Sequence, residues 1–378
     1  MKLIFKLIIG IILGLFIGLI GPEFIVRSLI TLKVLFGSFI GFIIPFIILF
    51  FIASGVANLG KNSGRLVGMT VGTAYVSTFL AGLLAFIVAI IIIPFLTTES
   101  GNVTDSSALE PFLTLEIAPM MGVVTALVTA FVFGIGVAKT SSENLKKIFD
   151  EGKSIIELVI TRIIIPFLPF YIAGIFAELA SEGTVFDTLK VFGVVLVLAI
   201  ITHWAWLLIQ YMVAGLIAKK NPFMLLKNML PAYFTALGTM SSAATIPVTL
   251  KSVKNNKVKE DIANFGVPLC ATTHLSGSII TIVICAVAVM TLSPELIQPS
   301  LPQMIPVILM LGLIMVAAPG VPGGAIMAAL GILTSMLGFN EVAIGLMIAL
   351  YMAQDSFGTA TNVTGDGAIN VLIDRWSK

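Results

Sequence analysis

Long apolar runs, separated by short polar or glycine- and proline-bearing breaks, cover almost the whole chain. A helix needs about 20 apolar residues to cross about 30 Å of hydrocarbon. The first six runs are regular and predict helices over 3–20, 34–58, 66–95, 114–138, 154–180 and 187–217. The next four carry polar strings inside them. A segment over 222–252 is interrupted by GTMSSAATIP, and a helix over 259–291 contains ATTHLSGS. A segment over 302–338 is interrupted by AAPGVPGGA, and a last helix over 341–373 contains QDSFGTATNVTGD. The pattern predicts an all-α integral membrane protein. Its N-terminus, MKLIFKLIIGIILGLFIGLIG, starts like a signal peptide but lacks an A-x-A site and is long enough to span, so it reads as the first helix.

The charges between the runs alternate. Lys2 and Lys6, then Lys61 and Arg65, then Lys139, Lys146, Lys147 and Lys153, then Lys219, Lys220 and Lys227 mark every second loop as basic. The intervening loops carry Glu99, Asp105 and Glu110, then Glu178, Glu182 and Asp187. Basic loops face the cytoplasm, which predicts cytoplasmic N- and C-termini. The cluster Lys251, Lys254, Lys257 and Lys259 keeps this rule only if 222–252 enters and returns on one side. The same reasoning makes 302–338 a re-entrant pair from the opposite side. The expected tips are Ser241–Pro247 and Pro319–Gly324. Eight spans and two opposed hairpins form an inverted repeat, a plan common among secondary transporters. Non-helical backbone at membrane depth must be buried in protein or line a cavity, so a binding site is expected between the tips.

Composition agrees. Of 378 residues, 58% are hydrophobic and 11% charged, and mean hydropathy is +1.12. A soluble domain carries about 25% charged residues, so a cytosolic enzyme, a nucleic-acid binder and a disordered chain are excluded. A net charge of +2 suggests no polyanionic partner. Cys270 and Cys285 lie on one apolar stretch, about 22 Å apart if it is helical, too far for a disulfide.

Chemistry concentrates in the late segments. Asp355, Thr359, Asn362 and Asp366 fall within about 60° of one another at 100° per residue, a single stripe of the last helix. Carboxylates at membrane depth are costly, and two of them demand a cation, a ligand amine or a proton. In CATTHLSGS, hydroxyls and freed carbonyls suit a hard cation such as sodium. His274 does not, but a histidine can carry a proton; it can equally donate one hydrogen bond to a neighbouring carbonyl. The small, flexible tips offer backbone N–H groups and helix N-termini for a substrate carboxylate, or simply tight packing. With two histidines and no positioned third member beside Ser276 and His274, no enzyme triad is expected.

These motifs resemble the dicarboxylate/amino acid:cation symporter family of glutamate and neutral amino-acid carriers. The resemblance runs along nearly the whole chain. Ser241-Ser242-Ala243-Ala244-Thr245-Ile246-Pro247 looks like the serine-rich first tip, and Gly320-Val321-Pro322-Gly323-Gly324 like the second tip's A-G-V-P-G. Asn362-Val363-Thr364-Gly365-Asp366 matches N-V-T-G-D, and Thr272-Thr273-His274-Leu275-Ser276-Gly277-Ser278 occupies the place of T-I-N-M-D-G-T. The resemblance implies a homotrimeric elevator in which a transport core slides along a scaffold. By position, 1–65 would hold scaffold helices 1 and 2, and 66–138 transport helix 3 and scaffold helix 4. Scaffold helix 5 would fall in 139–186, transport helix 6 in 187–221 and the transport core in 222–378.

The resemblance also implies residue roles. Asp355 and Thr359 would hold the substrate amino group, and Asn362 with Ser241 and Ser242 the α-carboxylate. Ser278, Val321 and Gly323 would lie near the substrate. Asp366 and Asn362 would serve one sodium site; Cys270, Thr272, Ser77, Thr78 and His274 occupy further cation positions. Where acidic-substrate members carry arginines, this chain has Gly358 and Met240. A pocket without a guanidinium lacks a bidentate partner for a side-chain carboxylate. The strings SSAA and QDS–TA–N are closest in motif to bacterial serine/threonine carriers. The expectation is symport of a small neutral amino acid with Na+ and/or H+ at the cell membrane, without a covalent cofactor. An acidic substrate or an ion-conducting channel of the same architecture are the alternatives. The family's Asn and Asp are replaced by His274 and Ser276, so fewer coupled sodium ions are expected, with His274 as possible proton carrier.

Overall fold

In a computed structural model, residues 2–59, 65–96, 109–293, 295–316, 318 and 322–377 are described. The tip residues Pro319, Gly320 and Val321 and the loop charges Lys61, Glu99 and Asp105 lie outside them. Fourteen α-helices and no strand occur among the described residues. They are α1 (Lys2–Ile20), α2 (Glu23–Leu59), α3 (Arg65–Leu96), α4 (Val123–Thr140), α5 (Glu143–Val159), α6 (Ile165–Ser181) and α7 (Val185–Ala218). Then follow α8 (Pro222–Thr239), α9 (Ser242–Asn255), α10 (Glu260–Thr273), α11 (Ser276–Leu292), α12 (Leu301–Met315), α13 (Gly324–Leu337) and α14 (Glu341–Trp376). Seven helical segments among the described residues are long and apolar enough to cross a membrane; α1 contributes a shorter apolar stretch, Phe5–Ile20.

Three boundaries differ from the sequence expectation. The second helix starts at Glu23 rather than near 34. The fourth starts at Val123 rather than near 114, because Pro111, Pro119 and Gly122 keep 109–122 out of helix. The fifth runs back to Glu143 and joins α6 through a π-helical turn, Ile160–Ile164. Its polar first half, capped by Ser142, hid the helix from an apolar-run reading.

The helices associate in two groups. In the first, α1 packs along α6, and α2 along α4, α5 and α6. The α1–α6 seam is built on glycine. Cβ atoms on Gly10, Gly14 and Gly18 would lie 2.4, 2.3 and 2.4 Å from the carbonyl oxygens of Pro169, Ala173 and Ala177. Small residues four apart let two backbones meet, as membrane helices commonly do. Lys33 of α2 and Glu178 of α6 add a largely buried ion pair.

In the second group, α14 is the axis, packed by α7, α8, α9, α10 and α11. The chain doubles back between α8 and α9. Asn228 donates to Asn256 Oδ1 at 2.8 Å, and Asn256 donates to the Leu225 carbonyl at 3.0 Å, which ties the start of α8 to the end of α9. Met240 makes the turn in the left-handed region, φ +55°. The α10–α11 break falls at His274 and Leu275.

Two apolar clusters stack along α14. One takes its first half, from Ala343 to Met352, together with α11; the other takes Ala360 to Ile373 together with α8 and α10. The polar stretch Gln354–Thr359 lies at the seam between them, and the helix break at His274 falls where α10 hands over to α11. The polar side chains of this stretch, Gln354, Asp355, Ser356 and Thr359, are all buried.

Candidate functional site

Asp355, Thr359, Asn362 and Asp366 are all buried, with exposures of 4, 6, 3 and 1%. One stripe serves two sites. The first is a cavity of about 20 Å³ bordered by Asp355, Thr359, Asn362, Ser242, Ser278 and Met240, room for about one water molecule. No lysine or arginine among the described residues lines it. Asp355 Oδ2 accepts the Gly323 N–H at 2.8 Å. Gly323 is the N-cap of α13, so the carboxylate sits at that helix's positive end. The cap must be glycine: φ is +73°, and a Cβ would lie 2.8 Å from Met352 Sδ.

Asn362 works across the helix break. Its Oδ1 accepts the N–H groups of Gly277 at 2.7 Å and Ser278 at 3.2 Å, and its Nδ2 donates to Ser278 Oγ at 2.9 Å. Leu275, at the N-cap of α11, has no side chain to satisfy those orphan donors, so Asn362 of α14 does it. Ser241 caps α9, its Oγ accepting from Ala244 N at 3.3 Å. Ser242 follows it into the cavity.

The second site is a buried chain. His274 Nδ1 lies 2.9 Å from Asp366 Oδ1, and His274 Nε2 lies 2.9 Å from Ser77 Oγ. Gln210 Nε2 donates to Ser77 Oγ at 2.8 Å and lies 3.3 Å from His274 Nε2. With Asp366 ionised, Nδ1 carries a proton toward it; Nε2 then accepts from Ser77, or donates to it when the ring is charged. Gly365 makes room, since a Cβ there would lie 2.7 Å from His274 Cε1 and 2.8 Å from Gln210 Oε1. Among the described residues, seven buried side-chain oxygens on α3, α7, α11 and α14 have no hydrogen-bond partner: Thr78 Oγ1, Gln210 Oε1, Ser276 Oγ, Tyr351 Oη, Gln354 Oε1, Thr364 Oγ1 and Asn370 Oδ1. Each unsatisfied group costs about 1–3 kcal/mol. Hard oxygens are the donor type that a small alkali cation takes, although no three of His, Cys, Asp and Glu converge among the described residues.

Several expected positions fall elsewhere. Thr272 is exposed and its hydroxyl bonds back to the Leu269 carbonyl at 3.0 Å. The Cys270 carbonyl is taken by the His274 N–H at 2.9 Å, and its sulfur lies 4.0 Å from Asn370 Nδ2. Val321 lies outside the described residues. Gly358, which stands where acidic-substrate members carry an arginine, packs on α11: a Cβ there would lie 3.2 Å from Thr281 Oγ1 and 3.4 Å from the Gly277 carbonyl oxygen. Met240 does border the cavity. Sequence reasoning missed Gln210, whose signal is a lone amide in the apolar second half of α7. It also missed Tyr351, one turn before Asp355 and also on the cavity wall.

A profile of the sodium:dicarboxylate symporter family matches residues 3–376. Excitatory amino acid transporter 1 of Homo sapiens is 27% identical over 291 residues, covering 73% of this chain and 52% of its own. The Ambystoma tigrinum protein of the same name is 28% identical over 297 residues, covering 75% and 53%. Neutral amino acid transporter B(0) of Homo sapiens is 27% identical over 266 residues, covering 68% and 48%. The chain spans about half the length of the curated relatives it matches.

Proposed function

The chain belongs to the sodium:dicarboxylate symporter family, and from that premise we propose that it is a secondary-active symporter moving a small neutral amino acid into the cell with a cation. The observation that carries this reading is Asp355. It is a buried carboxylate on a cavity with no cationic side chain among the described residues; Tyr351 and Thr359 flank it, and the Gly323 N–H it accepts is a bond that a substrate ammonium can replace. Charge-assisted hydrogen bonds of that kind contribute about 1.5–3 kcal/mol each.

In this mechanism the second tip withdraws Gly323 from Asp355, and the substrate amino group takes its place beside Thr359. The substrate carboxylate meets the N-terminus of α9 at Ser241 and Ser242, with Asn362 and Ser278 alongside. A side-chain carboxylate would find no guanidinium, which favours serine, alanine or threonine over aspartate. The relatives' names span both classes, excitatory and neutral.

Coupling falls to the Asp366 region. Asp366, Ser77 and Thr78 supply oxygens for sodium. His274 stands between Asp366 and Ser77 and carries a proton in place of one ion. Expected partners are membrane lipid and two further copies of the chain. The helices α1, α2, α4, α5 and α6 act as scaffold, and α3 with α7 to α14 as the moving core. Two re-entrant pairs, α8–α9 and α12–α13, complete eight spans in the cell membrane with both termini in the cytoplasm.

The test is uptake of labelled serine and labelled aspartate into proteoliposomes, under an inward sodium gradient and then under a proton gradient alone. Serine accumulation is expected, and aspartate accumulation exceeding it overturns the pocket reading. Current without solute exchange would indicate a channel. Serine uptake driven by protons alone would assign coupling to His274, and His274→Asn would then flatten its pH dependence.

A further inference from the structure

A much larger cavity, about 710 Å³, lies away from Asp355. It opens between α2 at Gly37–Pro45, the segment 116–123, Tyr171 of α6 and the start of α14. Its volume lies within the range of small-molecule sites, and most of its lining is aliphatic, with Ile40, Ile44, Met121 and Ile344 among its walls. Polar side chains interrupt that lining: Ser38, Thr334 and Asn340, and, most consequentially, the carboxylates of Glu116 and Glu341 and the hydroxyl of Tyr171. Glu295, across the first turn from Glu341, is already engaged by Asn340 at 3.1 Å. Glu116, Glu341 and Tyr171 make no hydrogen bond or ion pair among the described residues.

Tyr171 is the telling member. The residue is only 2% exposed, yet its hydroxyl borders the cavity without a partner. Two glycines keep the approach open. A Cβ on Gly37 would lie 3.8 Å from the Tyr171 hydroxyl and 3.7 Å from Glu341 Oε2, so phenol and carboxylate converge on one notch. A Cβ on Gly345 would lie 3.0 Å from the same hydroxyl. A phenol hydroxyl that faces the cavity without a partner is free to bond a ligand, and the carboxylates of Glu341 beside it and of Glu116 elsewhere on the lining set the sign of what can answer it.

We propose that this cavity is a binding site for a lipophilic organic ammonium ion. Its N–H groups donate to the Glu341 and Glu116 carboxylates and to the Tyr171 oxygen, and its hydrocarbon body fills the aliphatic walls. An anion of the same shape is repelled by the two carboxylates, and a neutral molecule forgoes the charge-assisted bonds. A ligand held there touches α2 and α6 on one side and the first turn of α14 on the other. It therefore slows any motion between the two helix groups without occupying the Asp355 cavity. That consequence for transport rests on the symporter reading; the site itself does not.

Three rigid probes of one shape separate the terms: 1-adamantylamine, 1-adamantanol and 1-adamantanecarboxylate. The readouts are thermal unfolding of the purified full chain and serine uptake in proteoliposomes. The amine is expected to raise the unfolding midpoint saturably and to lower maximal uptake with the KM for serine unchanged; the alcohol acts weakly and the carboxylate not at all. Glu116→Gln/Glu341→Gln, isosteric and distant from the transport residues, should raise the half-saturating amine concentration about tenfold or more, and Tyr171→Phe about threefold. Equal amine stabilisation of wild type and double variant, or stabilisation by the carboxylate, overturns the site. If no amino acid is transported but the amine shift appears and is lost in the double variant, the site stands and the symporter reading falls.

Discussion

A carboxylate at membrane depth costs from about 2.5 to more than 10 kcal/mol unless something answers its charge. Asp355 and Asp366 receive different answers. A helix N-terminus with its Gly323 N–H faces Asp355, beside the hydroxyls of Tyr351 and Thr359, and the backbone bond is one that a ligand can undo. A histidine held by Ser77 and Gln210 faces Asp366, so that carboxylate has a side-chain partner from within the protein. Gly323→Ala should therefore be damaging beyond its size. It forces a side chain into the left-handed region, costing about 1–2 kcal/mol, and pushes on Met352. The expected result is serine affinity weakened about tenfold with little loss of folded protein, read by equilibrium binding. Gly365→Ala acts on the other site. Its Cβ would strike His274 and Gln210, and overpacking of this kind costs about 1–3 kcal/mol. A lowered unfolding midpoint is expected; an unchanged one would mean that the buried chain is looser than its distances imply. The stripe of Asp355, Thr359, Asn362 and Asp366 was legible because helical spacing alone aligns it. The roles of Gly358 and Gln210 were not, because which neighbouring helix faces a residue is decided by packing rather than by spacing.

At the scale of elements, apolar length located most of the helices and a polar string located the break at His274, whereas the first tip, expected over Ser241–Pro247, turns at Met240 and leaves Ser242–Pro247 inside α9. Apolar length failed where amphipathic helix or proline replaced the apolar run. Helix α5 begins in ENLKKIFDEGKS, which no hydropathy window takes for a span. The segment before α4 is apolar enough but contains two prolines and a glycine. The α1–α6 seam was readable in principle from the four-residue spacing of Gly10, Gly14 and Gly18, although its partner was not. Gly14→Val should pry the two helices apart, because its Cβ would lie 2.3 Å from a backbone oxygen that cannot rotate away. The expected loss of stability is at least about 1–3 kcal/mol, read as a lower unfolding midpoint. A variant as stable as wild type would show that the helices do not pack this closely.

For the molecule as a whole, the separation into an α1–α2–α4–α5–α6 group and an α14-centred group matters most. Transport by sliding requires those groups to move past each other, and Gly37 of α2 lies next to Glu341 of α14. Cross-linking Gly37→Cys to Glu341→Cys with a short bifunctional thiosulfonate should abolish uptake while serine binding persists, with activity restored by reductant. The native Cys270 and Cys285 are both buried and do not compete. Uptake surviving efficient cross-linking would exclude sliding at this contact. The arrangement of groups could not be read from the chain alone, since faces toward lipid and toward protein are equally apolar.

The most direct test of the account is equilibrium binding of labelled serine to the purified protein in sodium, compared between wild type and Asp355→Asn. The substitution keeps an oxygen to accept the Gly323 N–H but removes the charge that the substrate amine requires. The account predicts saturable binding by wild type and a loss of about tenfold to a hundredfold in affinity for the variant, the worth of one charge-assisted bond. Binding by Asp355→Asn within about threefold of wild type, well short of what such a bond is worth, would contradict it.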